Sequence, residues 1–142
     1  MTTREEIVEV INKLFVYTDA HHWDGLILEV FTENVHLDMS SLGTEPTDTT
    51  SRAICKAWEE GFQGLDAVNH LAGNYLITLE GDSEAKVLAY ATATHYRESA
   101  EFGKTREFVG TYDLKLRKQE DGWRLYYFKY NLKYASGNMS LE

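Results

Sequence analysis

Four runs of β-forming sequence fill most of the chain's second half: Ala67 to Glu80, Lys86 to Glu98, Thr105 to Lys118 and Trp123 to Tyr134. They are rich in Tyr, Val, Thr and Phe, side chains that suit a pleated, half-buried surface. Gly81-Asp82-Ser83, Ser99 to Lys104 and Glu120-Asp121-Gly122 separate them. Connections this short join antiparallel neighbours, because a parallel crossover needs a dozen residues or more. A sheet of such strands has an apolar face that something else must cover. The cover has to come from the preceding residues.

Those residues read as three helices. Thr3 and Glu6 have the spacing of a capping box, and Ile7, Val10, Ile11, Leu14 and Phe15 then recur on one helical face. After a polar break from Thr18 to His22, Trp23, Leu26, Ile27, Val30 and Phe31 repeat the pattern in a second helix, for which Asp19 is a possible cap. Asn34 to Met39 alternates like a short strand. Ser40 to Thr50 contains Gly43 and Pro46 and reads as a loop able to lie over a pocket. Thr50 or Ser51 can cap a third helix in which Ile54, Ala57 and Trp58 face inward and which Gly61 ends. Helices followed by strands define an α+β fold, here a single domain over residues 1–142 with helices on one face of a strongly bent, mostly antiparallel sheet.

The last strand is apolar or aromatic on both faces, Trp123, Leu125 and Tyr127 on one and Tyr126, Phe128, Tyr130, Leu132 and Tyr134 on the other. A strand with one wet face alternates more cleanly, so the outer face is expected to be covered by a second copy in a homodimer. A formal charge of -9 and the lack of a basic run exclude a nucleic-acid partner. No leader-like or membrane-spanning apolar segment is evident, and a cytoplasmic location is expected. The single cysteine, Cys55, falls on an apolar helical pattern and reads as an inert core residue.

Several side chains are candidates for chemistry. His70 sits near the start of the first long strand on the same side as Val68 and Ala72, where it is either a satisfied core histidine or a general acid/base. Asp19 is the carboxylate available to orient it, although helix capping also accounts for it. His95 shares a strand face with Ala91 and Ala93, small residues that fit a cavity floor better than a filled core. Tyr112 can donate a hydrogen bond to an oxygen that gains charge, or simply pack. Asp38, between Leu37 and Met39, is a second candidate base whose apolar flanks would raise its pKa. Tyr17 is placed to bond a ligand oxygen or to close the first helix, and Trp58 to line a pocket or the core. His21, His22 and Asp24 lack the spacing of a metal site, and no metal is expected. Nucleotide-binding and serine-hydrolase motifs are absent from the sequence.

Tyr17-Thr18-Asp19, Trp23-Asp24-x-Leu26, Leu37-Asp38-Met39, Asn69-His70-Leu71-x-Gly73-Asn74, Gly110-x-Tyr112 and Asp121-Gly122-Trp123 together resemble the SnoaL-like branch of the nuclear transport factor 2-like superfamily. The resemblance spans nearly the whole chain and implies a cone of three helices wrapped by a curved sheet around a deep pocket. Within that branch the motifs are most similar to scytalone dehydratase and the bile acid dehydratases, whose cofactor-free sites use an Asp and a His. It implies Asp19 and His70 in those roles, with His95 near the position of a second histidine. Tyr112 stands where scytalone dehydratase has an asparagine, and Thr18 where it has a tyrosine. Asp38 falls where ketosteroid isomerases keep their base. The implied function is a cofactor-independent dehydratase acting on a small oxygenated ring compound, with an isomerase using Asp38 or a non-catalytic binder as alternatives.

Overall fold

The computed structural model describes all 142 residues. Helix α1 (Thr3–Asp19) starts at a capping box in which Thr2 Oγ1 accepts the Glu5 N–H at 3.1 Å and the Glu5 carboxylate accepts the Thr2 N–H at 3.0 Å. The sequence offers two overlapping Thr-x-x-Glu frames, and the structure uses the one a residue earlier than Thr3/Glu6. Helix α2 (Trp23–Gly25) runs on into a π-helical turn (Leu26–Val30). Phe31 is not part of it: it begins strand β1 (Phe31–Asp38), three residues earlier than the alternation suggests. His22, not Asp19, holds the N-cap position of α2, with no side-chain bond. A Cβ on Gly25 would lie 2.7 Å from the Tyr17 ring and 2.8 Å from the His22 ring, so only glycine lets these two aromatics close over the α1–α2 corner.

The segment expected to be loop holds a 3-10 turn (Ser40–Leu42) and a short strand β2 (Thr47–Thr50) paired antiparallel with β1. Thr50 caps α3 (Ser51–Gly61), its hydroxyl accepting the Ala53 N–H at 3.2 Å. Ile54 and Cys55 face the core, whereas Ala57 is exposed. Burial of Cys55 pushes its thiol up to about 11, which keeps it protonated and unreactive.

Strands β3 (Ala67–Glu80), β4 (Glu84–Tyr96), β5 (Thr105–Gln119) and β6 (Gly122–Gly137) form the antiparallel meander that their connectors require. The six-stranded sheet has the order β2-β1-β6-β5-β4-β3, and only the β1–β6 pair is parallel. Register shifts interrupt it in the β1–β6, β3–β4 and β5–β6 pairs, and two of them bend it toward α1. Leu116 pairs with Leu125 and Lys115 with Tyr127, so Tyr126 is an extra residue. In β3, Asn74 takes a left-handed φ of 54° where the β3–β4 register shifts. Bulges of this kind kink strands and increase their twist, which makes the face toward α1 concave.

The Tyr126 bulge also revises the reading of β6. Its inward series is Trp123 and Leu125 before the bulge, then Phe128 and Tyr130 after it. The sequence shows two apolar faces because one inward face changes parity at the extra residue. Inward residues of β4, β5 and β6 meet Ile7, Ile11 and Leu14 of α1, Leu26 and Val30 of the π turn and Ile54 of α3 in one core. Each such large side chain contributes about 1.5–3 kcal/mol by leaving water. No helix is long and apolar enough to cross a membrane.

Candidate active site

Asp19 is the last residue of α1, and β3 runs beside the end of that helix. Across a separation of 51 residues its Oδ1 lies 2.6 Å from His70 Nδ1, and its Oδ2 accepts the His70 backbone N–H at 2.7 Å. Both carboxylate oxygens are therefore used on one residue. An ionised carboxylate only accepts, so His70 Nδ1 carries a proton, and in the neutral imidazole Nε2 keeps its lone pair. Phe15 packs on the imidazole at 5.3 Å between ring centroids. The two side chains keep only 10% and 19% of their surface exposed, which shields the pair from competing water.

His70 opens onto a cavity of about 190 Å³ between the helices and the concave sheet. Eleven of its 14 lining residues are hydrophobic, so its few polar atoms act in a largely water-free setting. Phe15, Trp58, Phe62, Phe108 and Phe128 supply aromatic walls, while Met39 and Leu42 close it from the segment after β1. That volume is below the range of about 300–1,000 Å³ usual for drug-sized ligands and suits a small one.

His95 lines the cavity from β4, two residues beyond Ala93, the cross-strand partner of His70. Its Nδ1 accepts the Nε–H of Arg106 on β5 at 3.0 Å. Burial first, and the Arg106 charge second, lower its pKa from 6.5 to about 4. His95 is thus a neutral imidazole across the physiological range. Tyr112, its phenol pKa raised by burial, also stays protonated; its ring lies 5.3 Å from Phe15 and 4.9 Å from Tyr130.

The structure separates the remaining candidates. Trp58 reaches the cavity and packs on Phe31 and Phe128. Tyr17 does not: its hydroxyl donates to Glu29 at 3.1 Å, and its ring packs on His22. Asp38 lies outside the cavity, and its Oδ1 accepts both the N–H of Ser40 at 3.0 Å and its hydroxyl at 2.6 Å. These bonds stabilise the charged form and lower its pKa, opposite to the rise expected from its apolar flanks. His21 stacks on both Trp23 and Phe62, which also stack on each other, and nowhere do three or more His, Cys, Asp or Glu side chains converge as a metal site would require.

Two residues at the site carry little signal in the sequence. Arg106 reads as an ordinary strand cation until β4 is set beside it. Tyr130 lines the cavity, but its hydroxyl is buried without a hydrogen-bond partner, and β6 parity is ambiguous until the bulge at Tyr126 is known.

Helices on a bent sheet, with a hydrogen-bonded Asp–His pair at the cavity wall, define a pocketed α+β protein. The SnoaL-like domain profile matches residues 1–129, and the chain belongs to that family. No curated protein matches the sequence significantly. Among solved structures, the Kfla4162 protein of Kribbella flavida is similar at 25% identity and a TM-score of 0.91, over 97% of this chain and 95% of that one. A candidate scytalone dehydratase from Novosphingobium aromaticivorans is similar at 18% identity and 0.82, over 95% and 87%. The hexachlorocyclohexane dehydrochlorinase LinA-type3 of Novosphingobium barchaimii shares the fold at 7% identity and 0.77, over 95% and 89%.

Proposed function

We propose that this chain is a cofactor-independent lyase of the dehydratase type, acting on a small, partly apolar β-hydroxyketone ring. The observation that carries this reading is the Asp19–His70 pair, which leaves a lone pair on His70 Nε2 at the wall of a largely apolar cavity. Nε2 takes the proton next to the carbonyl, and the electron pair moves onto the carbonyl oxygen. His95 and Tyr112 stabilise that oxygen by hydrogen bonds. The enolate then re-forms the carbonyl and a C=C bond as the β C–O bond breaks, and protonated His70 returns its proton to the departing hydroxide, giving water and a conjugated ketone. Each acid/base contribution is worth about 10²- to 10⁴-fold in rate. The candidate scytalone dehydratase and LinA-type3 have names that denote elimination chemistry, in keeping with this reading.

The test uses a panel of mono- and bicyclic β-hydroxyketones in D₂O, following α-hydrogen exchange by NMR and the conjugated product by absorbance. His70→Gln is expected to lower turnover by about 10²- to 10⁴-fold, while Asp38→Asn leaves it unchanged. The reverse pattern would establish an Asp38 isomerase and sink the dehydratase reading. Ligand binding with neither exchange nor elimination would make the protein a non-catalytic binder.

We further infer that a second copy covers the outer sheet face, where Leu71 is 75% and Leu76 66% exposed and Tyr90 lies beside them on β4. Contiguous exposed apolar side chains of this kind mark interaction surfaces. Sedimentation is expected to give a dimer that Leu71→Glu converts to monomer; a wild-type monomer at micromolar concentration would refute it.

A further inference from the structure

The two cavity histidines are wired in opposite senses. His70 Nδ1 faces a carboxylate, which can only accept. His95 Nδ1 faces the Arg106 Nε–H, which can only donate. We propose that Arg106 is a positioning residue that fixes His95 as the neutral Nε2–H tautomer, so that the cavity presents one histidine acceptor, at His70, and one histidine donor, at His95.

The geometry makes this assignment rigid. Arg106 and His95 are direct cross-strand partners on β5 and β4. Arg106 is itself held: its Nη1 donates to the Met139 carbonyl at 2.8 Å, and its guanidinium lies 6.0 Å from the centre of the Phe108 ring. The His95 ring is flanked by Phe62 at 5.6 Å and Phe108 at 5.4 Å, which limit its tilt. A guanidinium cannot give up its proton in a protein, so Nδ1 of His95 stays an acceptor and the ring proton belongs to Nε2. The charged and titratable groups facing this imidazole are Arg106 from β5, His70 from β3 and Asp19 from α1. Burial opposes its protonation most and the Arg106 charge next, a positive charge on His70 would add to them, and the Asp19 carboxylate favours it.

The inference rests on the lyase reading for its chemical meaning and narrows the ligand. A molecule that fits places an oxygen acceptor at His95 and its acidic C–H at His70. A ligand with an ammonium at the His95 end meets a donor and a nearby guanidinium and is rejected.

The test is NMR of the whole protein labelled with ¹⁵N-histidine, titrated from acid to mildly alkaline pH with long-range ¹H–¹⁵N correlations. Wild-type His95 is expected to show a bare Nδ1 and a protonated Nε2 from neutral pH down to its titration near pH 4. Arg106→Met is expected to mix the tautomers and raise the midpoint by roughly one unit. A His95 proton on Nδ1 in the wild type, or an Arg106→Met variant with tautomer and midpoint both unchanged, overturns the proposal. If Arg106→Met does not fold by its amide spectrum, Arg106→Lys, whose ammonium can also only donate, is measured instead: retention of the Nε2–H tautomer there supports the proposal, and its loss to an Nδ1–H tautomer overturns it. None of these readouts needs turnover, so an inactive panel of ketones would sink the lyase reading while leaving the Arg106–His95 assignment to be decided separately.

Discussion

Asp19→Asn is expected to lower kcat/KM on the responsive β-hydroxyketone by about 10²- to 10⁴-fold and to destabilise the fold by about 1–3 kcal/mol. Both losses follow from the use of both carboxylate oxygens on His70. An amide has one acceptor oxygen and one NH₂. If the oxygen stays on the ring Nδ1–H, the NH₂ faces the His70 backbone N–H at the present 2.7 Å, donor against donor. If the amide is turned round, the NH₂ faces Nδ1, the ring proton moves to Nε2, and the base becomes a donor. The first arrangement leaves an unsatisfied buried donor, and the second removes the lone pair that takes the proton. Steady-state kinetics and chemical denaturation read the two effects separately. Activity within about tenfold of wild type would show that His70 does not depend on this carboxylate.

Gly110→Ala is expected to cost about 3 kcal/mol or more of folding stability, with a further loss of ligand affinity. A Cβ at this position would stand 2.2 Å from the carbonyl oxygen of Asn131 and 2.8 Å from the Tyr130 hydroxyl. The carbonyl belongs to the β5–β6 ladder and cannot rotate away without breaking the pairing of Gly110 with Leu132. The register shift between Val109 and Gly110 sits at this point, so displacement of β6 would also carry Tyr130 into the cavity that it lines. Urea unfolding measures the cost. A loss below about 1 kcal/mol would mean that the bulge absorbs the methyl group and that the close approach is not needed.

Much of the fold was legible because its elements are long and periodic. Strand β3 spans the residues its pattern predicts, and β5 and β6 begin at or within one residue of expectation, since alternating apolar residues and short polar connectors leave few other solutions. The helical spacing predicts a second helix one residue too long, because Phe31 continues the pattern, yet its side chain packs against Trp58 from the start of β1. Strand β2, the residues Thr47-Asp48-Thr49-Thr50, has no signal in the sequence: it is short and polar and exists because β1 offers a free edge. Its pairing is a property of the partner and not of its own residues.

The site divides in the same way. Local alternation already places His70 with Val68 and Ala72, His95 with Ala91 and Ala93, and Tyr112 with Leu114 on common strand faces. A two-residue period fixes that locally. Which of these side chains meet depends on the three-dimensional fold. It brought Asp19 and His70 into contact across 51 residues, turned Tyr17 toward Glu29, and tied Asp38 to Ser40 outside the cavity. It also set Arg106 against His95, a pairing that depends on the β4–β5 register. Side-chain direction is written in the local period, but hydrogen-bond partners depend on how elements far apart in sequence cross and on where bulges change the parity of a strand. For that reason the residue types of this site could be read from the chain, while the proton on each histidine could be assigned only from the fold.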